Sequence, residues 1–545
     1  MIGRRFSYRQ LLAITEIGEQ ELSTTLAELI QERLLQSVGQ SPDMEYFFRH
    51  ALIQATAYSM ILREKRQRLH SKCAEALEMQ FPSICQQEPG VLGLHHESAD
   101  NVQAAVPYIL TAAKSAIDRS ALQEATTYLH RGLELLDKLP SSETRDVQEL
   151  KFRSALGRVS IFGKGWADQS VKHQYERALF LAKKTGNKKD EIPLEWALTT
   201  YHLLRGEINK SIDGGRRVLG LAELADDDDF RLVAHSALSI YEFYGGNFVG
   251  AIDHRNEALR FHRDKSSEEL RKAFGTDRRL QALRGAALSH WCIGDHELAV
   301  DMDEEQRLRA IDRPFDYTYA LTISCIFHSL DRNARMMRSF AESAITIAQD
   351  QGFGFLESNA ANFRSIALAL ENPSEKTLRD SHDTFEEYRQ AGNRMGISSM
   401  FGIVAELYGE IDLPEPGLAY VDRALEYVKR SGEQFAYSDL YRVKGVLLAS
   451  LHRVEEAKKC LSKALQIARR QRAKTWELTA AISLAQILNN QGEFEKSVPL
   501  LQPLYHEFEG SKFVKEHLVR AHTLLGECQS AGLRSFATHL KRGST

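Results

Sequence analysis

The sequence predicts an all-α fold, a right-handed α-solenoid of helical hairpins, on three observations. At 545 residues the chain is far longer than one hydrophobic core can serve, so several domains or a repeat array are expected. Proline is scarce, with 12 residues, while residues that favour helices are abundant. Small residues also recur at a spacing of about 40 residues from residue 190 onward, which indicates a repeat array.

Each repeat carries two small residues twelve positions apart and a third one seven positions further on. Gly445, Ala457 and Ala464 form the clearest set. The other sets are Thr199, Ser211, Val218; Ser239, Ala251, Ala258; Ala287, Ala299, Gln306; Cys325, Met337, Ala344; Ser365, Thr377, Thr384; Ala405, Gly417, Ala424; and Ala485, Ser497, Leu504. The step between middle positions is constant except for a longer one from Ala251 to Ala299 and a slightly shorter one from Ala299 to Met337.

Close packing between antiparallel helices explains this spacing, because facing side chains must be small where two helices approach each other. The turn falls between the first and second positions, and glycine there suits a left-handed helix C-cap. The candidate turn glycines are Gly206, Gly245, Gly246, Gly294 and Gly492. Looser or adjusted packing is expected at the large residues of the pattern, which are Met337, Gln306 and Leu504.

Residues 1–72 follow a different pattern. FSYRQLLAI and EQELSTTLAELIQERLL read as two amphipathic helices with no strand before them, and LLQSVGQSPDMEYFF alternates like two strands around a turn at residues 40–43. Helical spacing resumes in FRHALIQATAYSM. Helix, helix, hairpin, helix is a winged-helix arrangement. The expected domains are therefore a winged helix at 1–72, linking helical hairpins at 73–190 and the repeat array at 191–545.

The small-residue spacing resembles that of the tetratricopeptide repeat (TPR), with a unit longer by about six residues. A second resemblance is carried by IGRRFSYRQLL, EYFFRHALIQATAYSMILREKRQRLHSKCAEALE and LGLHHESADNVQAAVPYILTAAKSAIDRSALQEATTYLHRGLELLDKLP. GKGWADQSVKHQYERALFLA and ARRQRAKTWELTAAISLAQILNNQGEFEKSVPLLQPLYHEFEG extend it along essentially the whole chain. These stretches resemble the C-terminal half of bacterial adenylate/guanylate cyclase–AAA (STAND) ATPase–TPR signalling proteins.

In that family a cyclase domain is commonly followed by a STAND-type ATPase, a winged helix and a long TPR array. The resemblance implies that Met1 falls where an ATPase core hands over to its winged helix. The chain has no G-x-x-x-x-G-K-S/T phosphate loop, since Gly163-Lys164-Gly165 lacks the upstream glycine and the following hydroxyl. We therefore expect no cofactor in this chain, and ATP or ADP only through a separate or missing ATPase core. Whether the chain is a split gene product or a truncation stays open.

His50, in FFRHALIQATAY, is the most specific candidate for a functional residue. The resemblance implies that a histidine in this context touches the β-phosphate of the nucleotide bound to the ATPase and holds the inactive state. The alternative is that His50 caps or packs the helix after the hairpin, as most lone histidines do. Both interpretations stay open at this point.

The other polar clusters are expected to be structural, so no catalytic and no metal-binding residue is predicted. His95 and His96 point about 100° apart on a helix and cannot share a ligand site, and an HExxH motif would need histidine where Asp100 stands. His296 fails the same test. Asp226 to Asp229 lack the alternation and glycine of a calcium loop and are expected in a solvated loop.

The basic run Arg63 to Arg68 is expected to be a solvated helix face, with Leu62 and Leu69 facing inward. The tryptophans are expected at helix positions in the core rather than at ligand platforms. They are Trp166, Trp196, Trp291 and Trp476.

The bulk composition predicts a soluble, cytoplasmic protein without a strong attraction for nucleic acid or lipid. The formal net charge is −4, which gives no basic field for nucleic acid or lipid, and the second helix carries carboxylates at Glu19, Glu21 and Glu28. The six scattered cysteines are expected to be reduced thiols. The sequence has no apolar run long enough to span a membrane.

These observations together predict the non-catalytic sensor and scaffold region of a STAND-type signalling ATPase. A protein partner is expected on the concave face of the solenoid, since an array offers an extended surface and no reaction chamber, and a STAND ATPase core is the second expected partner. Two alternatives stay open. The chain is a fragment of a cyclase–ATPase whose catalytic domains lie upstream of Met1, or it is a transcription regulator that uses the winged helix on DNA.

Overall fold

The computed structural model describes residues 3, 5–39, 44–119, 121–263 and 267–542, and among these the side chains of all but 162–164, 267, 268, 272 and 529–542. Within these ranges the chain forms 28 α-helices, and its three short β-strands all lie before residue 49. The helices confirm the all-α class. The chain divides into two compact units: unit 1 is Met1–Lys164 with Ser170–Asn187, and unit 2 is Gly165–Gln169 with Lys188–Thr545.

Unit 1 begins with a small sheet and two helices. The elements are β1 (Arg5–Ser7), α1 (Tyr8–Ile14), α2 (Glu19–Gln31), β2 (Leu35–Val38) and β3 (Glu45–Phe48). The strand β3 pairs antiparallel with both β1 and β2, which gives the sheet order β1-β3-β2. The two expected helices and the two strands of the hairpin are present, and the turn expected at residues 40–43 lies outside the described residues.

The strand β1 is a correction to the expectation that a helix begins at Phe6. Phe6 is a buried member of a core that also contains Leu22, Leu35 and Tyr46, so the chain is extended where this side chain enters the sheet. Ser7 then caps α1, because its hydroxyl accepts a hydrogen bond from the Gln10 backbone N–H at 3.1 Å. The helix therefore starts two residues later than its apolar spacing indicates.

The remainder of unit 1 is helical. Its helices are α3 (Ala51–Met60), α4 (Arg63–Gln80), α5 (Pro82–Gln87), α6 (Pro89–Ser98), α7 (Val102–Asp118), α8 (Leu122–Leu136), α9 (Glu143–Lys164) and α10 (Gln169–Thr185). Proline opens both α5 and α6, where its missing N–H costs nothing. The helices α7, α8 and α9 share one core, in which Gly132 lets the ring of Phe152 approach the backbone of α8.

Unit 2 is an array of helical hairpins. Its helices are α11 (Lys188–Leu204), α12 (Ile208–Leu224), α13 (Asp228–Tyr244), α14 (Phe248–Phe261), α15 (Ser267–Phe274), α16 (Arg278–Ile293), α17 (His296–Ala310), α18 (Pro314–Leu330), α19 (Ala334–Gln351), α20 (Gly354–Glu371), α21 (Glu375–Gln390), α22 (Ile397–Glu410), α23 (Pro414–Ser431), α24 (Tyr437–Ser450), α25 (Val454–Gln471), α26 (Lys474–Asn490), α27 (Phe494–Glu507) and α28 (Lys515–Arg542). The extra short helix α15 fills the one long step of the pattern, between Ala251 and Ala299. The array is an α-solenoid of TPR-like hairpins, as the small-residue spacing predicts.

The first helix of each hairpin, called the inner helix here, carries the first residue of the repeat pattern. The inner helices are α11, α13, α16, α18, α20, α22, α24 and α26, and the outer helices are α12, α14, α17, α19, α21, α23, α25 and α27. The middle residue of the pattern stands four positions after the N-cap of the outer helix, as in Ser211 after Glu207. Gly445, Ala457 and Ala464 are all buried, and a Cβ on Gly445 would lie 2.7 Å from the Cγ of Leu461.

Packing at the large residues of the pattern is adjusted rather than looser. Met337 and Gln306 are fully buried and Leu504 is 4% exposed, so the neighbouring helices accommodate their larger side chains. The pattern slips at one repeat, where Ser374 caps α21 and its hydroxyl accepts from the Thr377 N–H. This cap places Leu378, fully buried, in the middle position instead of Thr377, and Phe385 in the third position instead of Thr384.

Left-handed turn residues end most inner helices. Gly206, Gly246, Gly294 and Gly492 have φ between +69° and +97°, as expected, whereas Gly245 is right-handed with φ −70° and leaves the left-handed position to its neighbour. Three repeats place a residue with a side chain there, at a cost of about 1–2 kcal/mol each relative to the right-handed region. These residues are Arg332, Asp412 and His452.

Candidate protein-interaction site

The inner helices of the first repeats are buried on nearly every side. In α16, 14 of the 16 residues are buried, including Arg284, which is 1% exposed. In α13 and α18 buried residues likewise follow one another without the polar interruptions of a half-exposed helix. Other parts of unit 2 must therefore cover the face that a solenoid would otherwise leave open to a partner.

Three contacts between residues far apart in the sequence supply that cover. The carbonyl oxygen of Leu204 accepts the backbone N–H of Arg394 at 2.7 Å, and that of Tyr244 accepts the N–H of Gln434 at 2.7 Å. The carbonyl oxygen of Trp291 accepts the hydroxyl of Thr475 at 2.6 Å. Leu204 and Tyr244 end their helices, and Trp291 lies in the last turn of its helix, where carbonyls lack intrahelical partners. Each repeat in this series thus meets the repeat five positions later.

Aromatic side chains fill the space between these repeats. The ring of Phe435 lies 5.0 Å from that of Phe243 and 5.4 Å from that of Tyr244, and all three residues are buried. The rings of Trp291 and Trp476 lie 5.0 Å apart. Such tilted pairs add to the free energy of apolar burial, so the inner surface behaves as the core of unit 2.

Glu433 is a buried carboxylate at the same junction. It accepts hydrogen bonds from the backbone N–H groups of Gly396 at 2.7 Å and Ser398 at 3.0 Å, and from the Ser398 hydroxyl at 2.5 Å. These donors lie at the N-terminus of α22, where backbone N–H groups lack helical partners. Burial raises the pKa of Glu433 to about 7, because the charged form is separated from water.

A ring of four charged side chains links the turn after α18 to two inner helices, α22 and α24. Arg332 lies 3.0 Å from Glu406 and 2.8 Å from Asp439, and Arg442 lies 2.6 Å from each of the same carboxylates. Burial raises the pKa of Glu406, but the two arginines outweigh that effect and lower it to about 2. The ring fixes the turn after α18 against α22 and α24.

A small cavity of about 20 Å³ lies beside the Phe435 contact, which is room for about one water molecule. Its walls include Tyr244, Phe363, Tyr388 and Met400. This cavity is too small for a ligand or a peptide. An extended ligand could reach the inner surface at this point only after the repeats separate.

The structure places His50 at the N-cap of α3, where its side chain is exposed and makes no capping hydrogen bond. The imidazole therefore does not cap the helix, which is one of the two structural roles considered for it. Arg49 beside it is also exposed. The role of His50 as a nucleotide sensor stays a prediction.

The histidines of α6 are structural in unit 1 and point to different partners. His95 Nδ1 lies 2.9 Å from Nδ1 of His70, and His96 Nε2 lies 3.0 Å from the Glu78 carboxylate. Burial lowers the pKa of both His70 and His95 to about 4, so the pair is neutral at physiological pH. Sequence reasoning missed His70, which lies on a different helix, α4, with no motif to mark it. In the part of the chain that the structure describes, no group of three or more His, Cys, Asp or Glu could hold a metal ion.

Three other expectations are corrected in part. Asp227 is the N-cap of α13 and Asp228 lies in its first turn, so these carboxylates belong to a helix start and not only to a solvated loop. Leu62 is 80% exposed and does not face inward. Trp166 lies in a turn, half-buried against Trp196.

The structure agrees with the predictions for His296, for three of the tryptophans and for the cysteines. The buried His296 accepts or donates a hydrogen bond with the hydroxyl of Thr475 at 2.9 Å and serves the core. Trp196, Trp291 and Trp476 are buried on helices, as expected. All six cysteines are free thiols, and none of the described helices is long and apolar enough to cross a membrane.

Comparisons with known proteins do not assign a family to this chain. No family model matches it. An uncharacterized protein of Rhizobium meliloti (strain 1021) is 24% identical over 458 residues, which is 80% of this chain and 43% of that protein. The chain thus spans less than half the length of the curated relative it matches.

Solved structures with some similarity are also helical. A Rap protein complexed with Competence and Sporulation Factor matches 76% of this chain and 99% of its own, at 12% identity and a TM-score of 0.38. The apo form of the quorum sensor NprR from B. thuringiensis matches 67% and 99%, at 12% identity and a TM-score of 0.42. Yeast Tom70 matches 85% and 96%, at 12% identity and a TM-score of 0.33. The fold and the buried inner surface define a TPR-like helical-repeat protein. This assignment is based on the geometry of the hairpins and not on the similarity to these structures.

Proposed function

We propose that this chain is the sensor and scaffold region of a STAND-type signalling ATPase and is non-catalytic on its own. In this proposal residues 1–72 act as the winged helix that meets an ATPase core, and the repeat array recognises a partner protein. Residues 73–190 link the two. ATP or ADP is bound by the core, on a separate polypeptide or upstream of this chain, because the sequence has no phosphate-cradling loop.

The order of elements at the start of unit 1 is the observation that carries the proposal. The order strand, helix, helix, strand, strand, with the sheet order β1-β3-β2, supports the proposed winged helix. A role on DNA has less support, because α2 presents Glu19 and Glu21 in its first turn and contains no lysine or arginine. We therefore assign this region to contact with protein.

His50 is the residue that we propose to sense the nucleotide. Its exposed imidazole, next to the exposed Arg49, is free of intramolecular capping and can face a phosphate from another polypeptide. A charge-assisted hydrogen bond to a phosphate is worth about 1.5–3 kcal/mol, enough to bias a two-state switch. Partner binding to the array would shift this contact and release the inactive state.

We propose that the partner binds the concave face of the array, and this requires the array to open. Over α13, α16 and α18 the inner surface is packed against later repeats of the same array. A partner that uses this part of the surface must first separate Tyr244 from Gln434 and Trp291 from Thr475. Partner binding at such a site would therefore be coupled to opening of the array.

Calorimetry tests the proposal in two steps. Mg-ATP titrated into the isolated chain should give no stoichiometric micromolar binding. The chain titrated into a STAND ATPase core loaded with ADP should bind with a 1:1 stoichiometry, and more weakly to the nucleotide-free core. A micromolar ATP site in the isolated chain, or the absence of binding to any loaded core, would contradict the proposal.

A further inference from the structure

The outer helix α17 carries exposed apolar side chains that the array does not use. Leu298 is 38% exposed and Leu308 is 61% exposed, and Ile311, the C-cap residue of the same helix, is 55% exposed. Single exposed leucines are ordinary on a protein surface, but three on one helix form a stripe. The opposite side of α17 is packed in the array through the buried Ala299 and Met302.

Carboxylates lie between the apolar residues of this stripe. At 100° per residue, the exposed apolar residues and the acidic residues between them fall within an arc of roughly 140° on one face of α17. We name this surface the α17 face; its residues are Leu298, Asp301, Glu304, Glu305, Leu308 and Ile311. A shallow, wide-open depression of about 430 Å³ lies over its middle part, lined by Asp301, Glu304, Glu305, Leu308 and Arg309.

The charges of the α17 face are only partly satisfied by neighbouring residues. Glu305 lies 2.6 Å from Nε of Arg309 and 3.1 Å from Nη2 of Arg279, so this carboxylate is already held within the array. Asp301 and Glu304 are exposed and stand one turn apart beside Leu308. The face therefore offers two carboxylates and an apolar stripe to a second molecule.

We propose that the α17 face binds a basic amphipathic helix of a partner protein. The leucine-type side chains of that helix would pack on Leu298, Leu308 and Ile311, and its lysine or arginine residues would pair with Asp301 and Glu304. Charge complementarity selects a basic partner, since an acidic helix would meet the same carboxylates without compensation. This surface is separate from the buried inner surface, and the proposal does not depend on an ATPase core.

Fluorescence anisotropy with the full chain tests this proposal. The probe is a labelled 14-residue leucine–lysine helix, LKKLLKLLKKLLKL, and the control probe has glutamate in place of lysine. The lysine probe should bind with a micromolar Kd that weakens as salt is raised, and the glutamate probe should bind at least tenfold more weakly. The double variant Asp301→Lys/Glu304→Lys should weaken binding of the lysine probe at least tenfold, and Leu308→Ser should weaken it severalfold.

Matched variants separate the α17 face from a general attraction between a basic peptide and an acidic protein. Asp380 and Asp383 are exposed on α21 at the same spacing, and Leu224 is 78% exposed at the end of α12. Asp380→Lys/Asp383→Lys and Leu224→Ser should leave the Kd unchanged within twofold. Equal losses in the face variants and these controls would overturn the proposal. Self-association of the wild-type chain that Asp301→Lys/Glu304→Lys abolishes would also overturn it, because the occupant would then be a second copy.

Discussion

Gln434 donates its backbone N–H to the carbonyl oxygen of Tyr244 at 2.7 Å, although the two residues belong to repeats far apart in the sequence. The next residue, Phe435, places its ring against those of Phe243 and Tyr244. A helix end in the second repeat is thus completed by a loop that precedes the seventh repeat. This contact, with its equivalents at Leu204 and Trp291, makes the inner surface of the array part of its own core.

The first prediction concerns this contact. Phe435→Ala should lower the free energy of unfolding by about 3–5 kcal/mol, because the lost ring leaves a cavity between two repeats. Phe180→Ala is the control, since Phe180 is 58% exposed and its removal leaves no enclosed cavity. Urea denaturation followed by circular dichroism measures both variants. Equal stabilities would mean that the repeats do not pack across the inner surface.

The second prediction concerns the small-residue pattern. Gly445→Leu should lower the melting temperature, with a loss of about 1–3 kcal/mol or more, because its Cβ alone would meet Leu461 at 2.7 Å. Val446→Leu is the matched control on the same helix, since Val446 is 43% exposed. Differential scanning calorimetry should find Val446→Leu within a degree or two of wild type. If Gly445→Leu has the same melting temperature as wild type, close helix packing does not explain the small-residue pattern.

The third prediction concerns the buried acid. The folded-state pKa of Glu433, about 7, lies above the ordinary value of 4.5. Between these two pH values the carboxyl group is therefore protonated in the folded protein and ionised in the unfolded chain. This contribution to stability is complete below pH 4.5, is lost as pH rises through 7, and amounts to on the order of 3 kcal/mol. Glu433→Gln should remove that part of the pH dependence.

Urea denaturation at pH 5 and pH 8 measures this effect. Wild type should lose more stability than Glu433→Gln between the two values. Parallel losses in the two proteins would show that Glu433 is ionised in the folded state at both pH values, held by the donors from Gly396 and Ser398.

The fourth prediction concerns the left-handed turns. His452 has φ +59° and is exposed, so its side chain contributes strain without compensating contacts. His452→Gly should raise the free energy of unfolding by about 0.5–1 kcal/mol, because glycine adopts this conformation without steric cost but loses more entropy on folding. Gly492→His reverses the substitution in the equivalent turn and should be destabilising. A lower melting temperature for His452→Gly together with a higher one for Gly492→His would contradict this assignment.

The sequence predicts the repeat array well because local packing determines it. Gly445, Ala457 and their equivalents repeat along the chain, and their spacing follows from the geometry of two helices in contact. The slip at Thr377 was missed because it depends on a cap at Ser374, whose hydrogen bonds compete with the repeat spacing. The strand β1 was missed because its conformation comes from pairing with β3, which follows only after two helices and another strand.

The inner contacts could not be predicted from the sequence. The Tyr244–Gln434 bond uses backbone atoms, which carry no residue-specific signal, and its partners come together only through the superhelical geometry of five repeats. From the sequence alone, Phe435 is expected to be an ordinary core residue of its own hairpin. The pairing of His70 with His95 was missed for a similar reason, since neither spacing nor motif connects α4 to α6.

The fifth prediction concerns His50 in the isolated chain. His50→Ala should leave the melting temperature unchanged within about one degree, because the imidazole is exposed and makes no capping hydrogen bond. His173→Ala is the control, since His173 is also exposed in unit 1. A clear drop in the melting temperature for His50→Ala alone would assign His50 a structural role.

ATP turnover by a STAND ATPase core, supplied as a separate polypeptide, tests the central claim most directly. The core is assayed alone, with the wild-type chain, and with the His50→Ala and His173→Ala variants at equal concentration. We expect the wild-type chain and His173→Ala to hold turnover low, and His50→Ala to release it about tenfold or more, as the loss of a charge-assisted bond of about 1.5–3 kcal/mol requires. Turnover that is the same with every chain and with none would contradict the assignment of this protein as the sensor of such an ATPase.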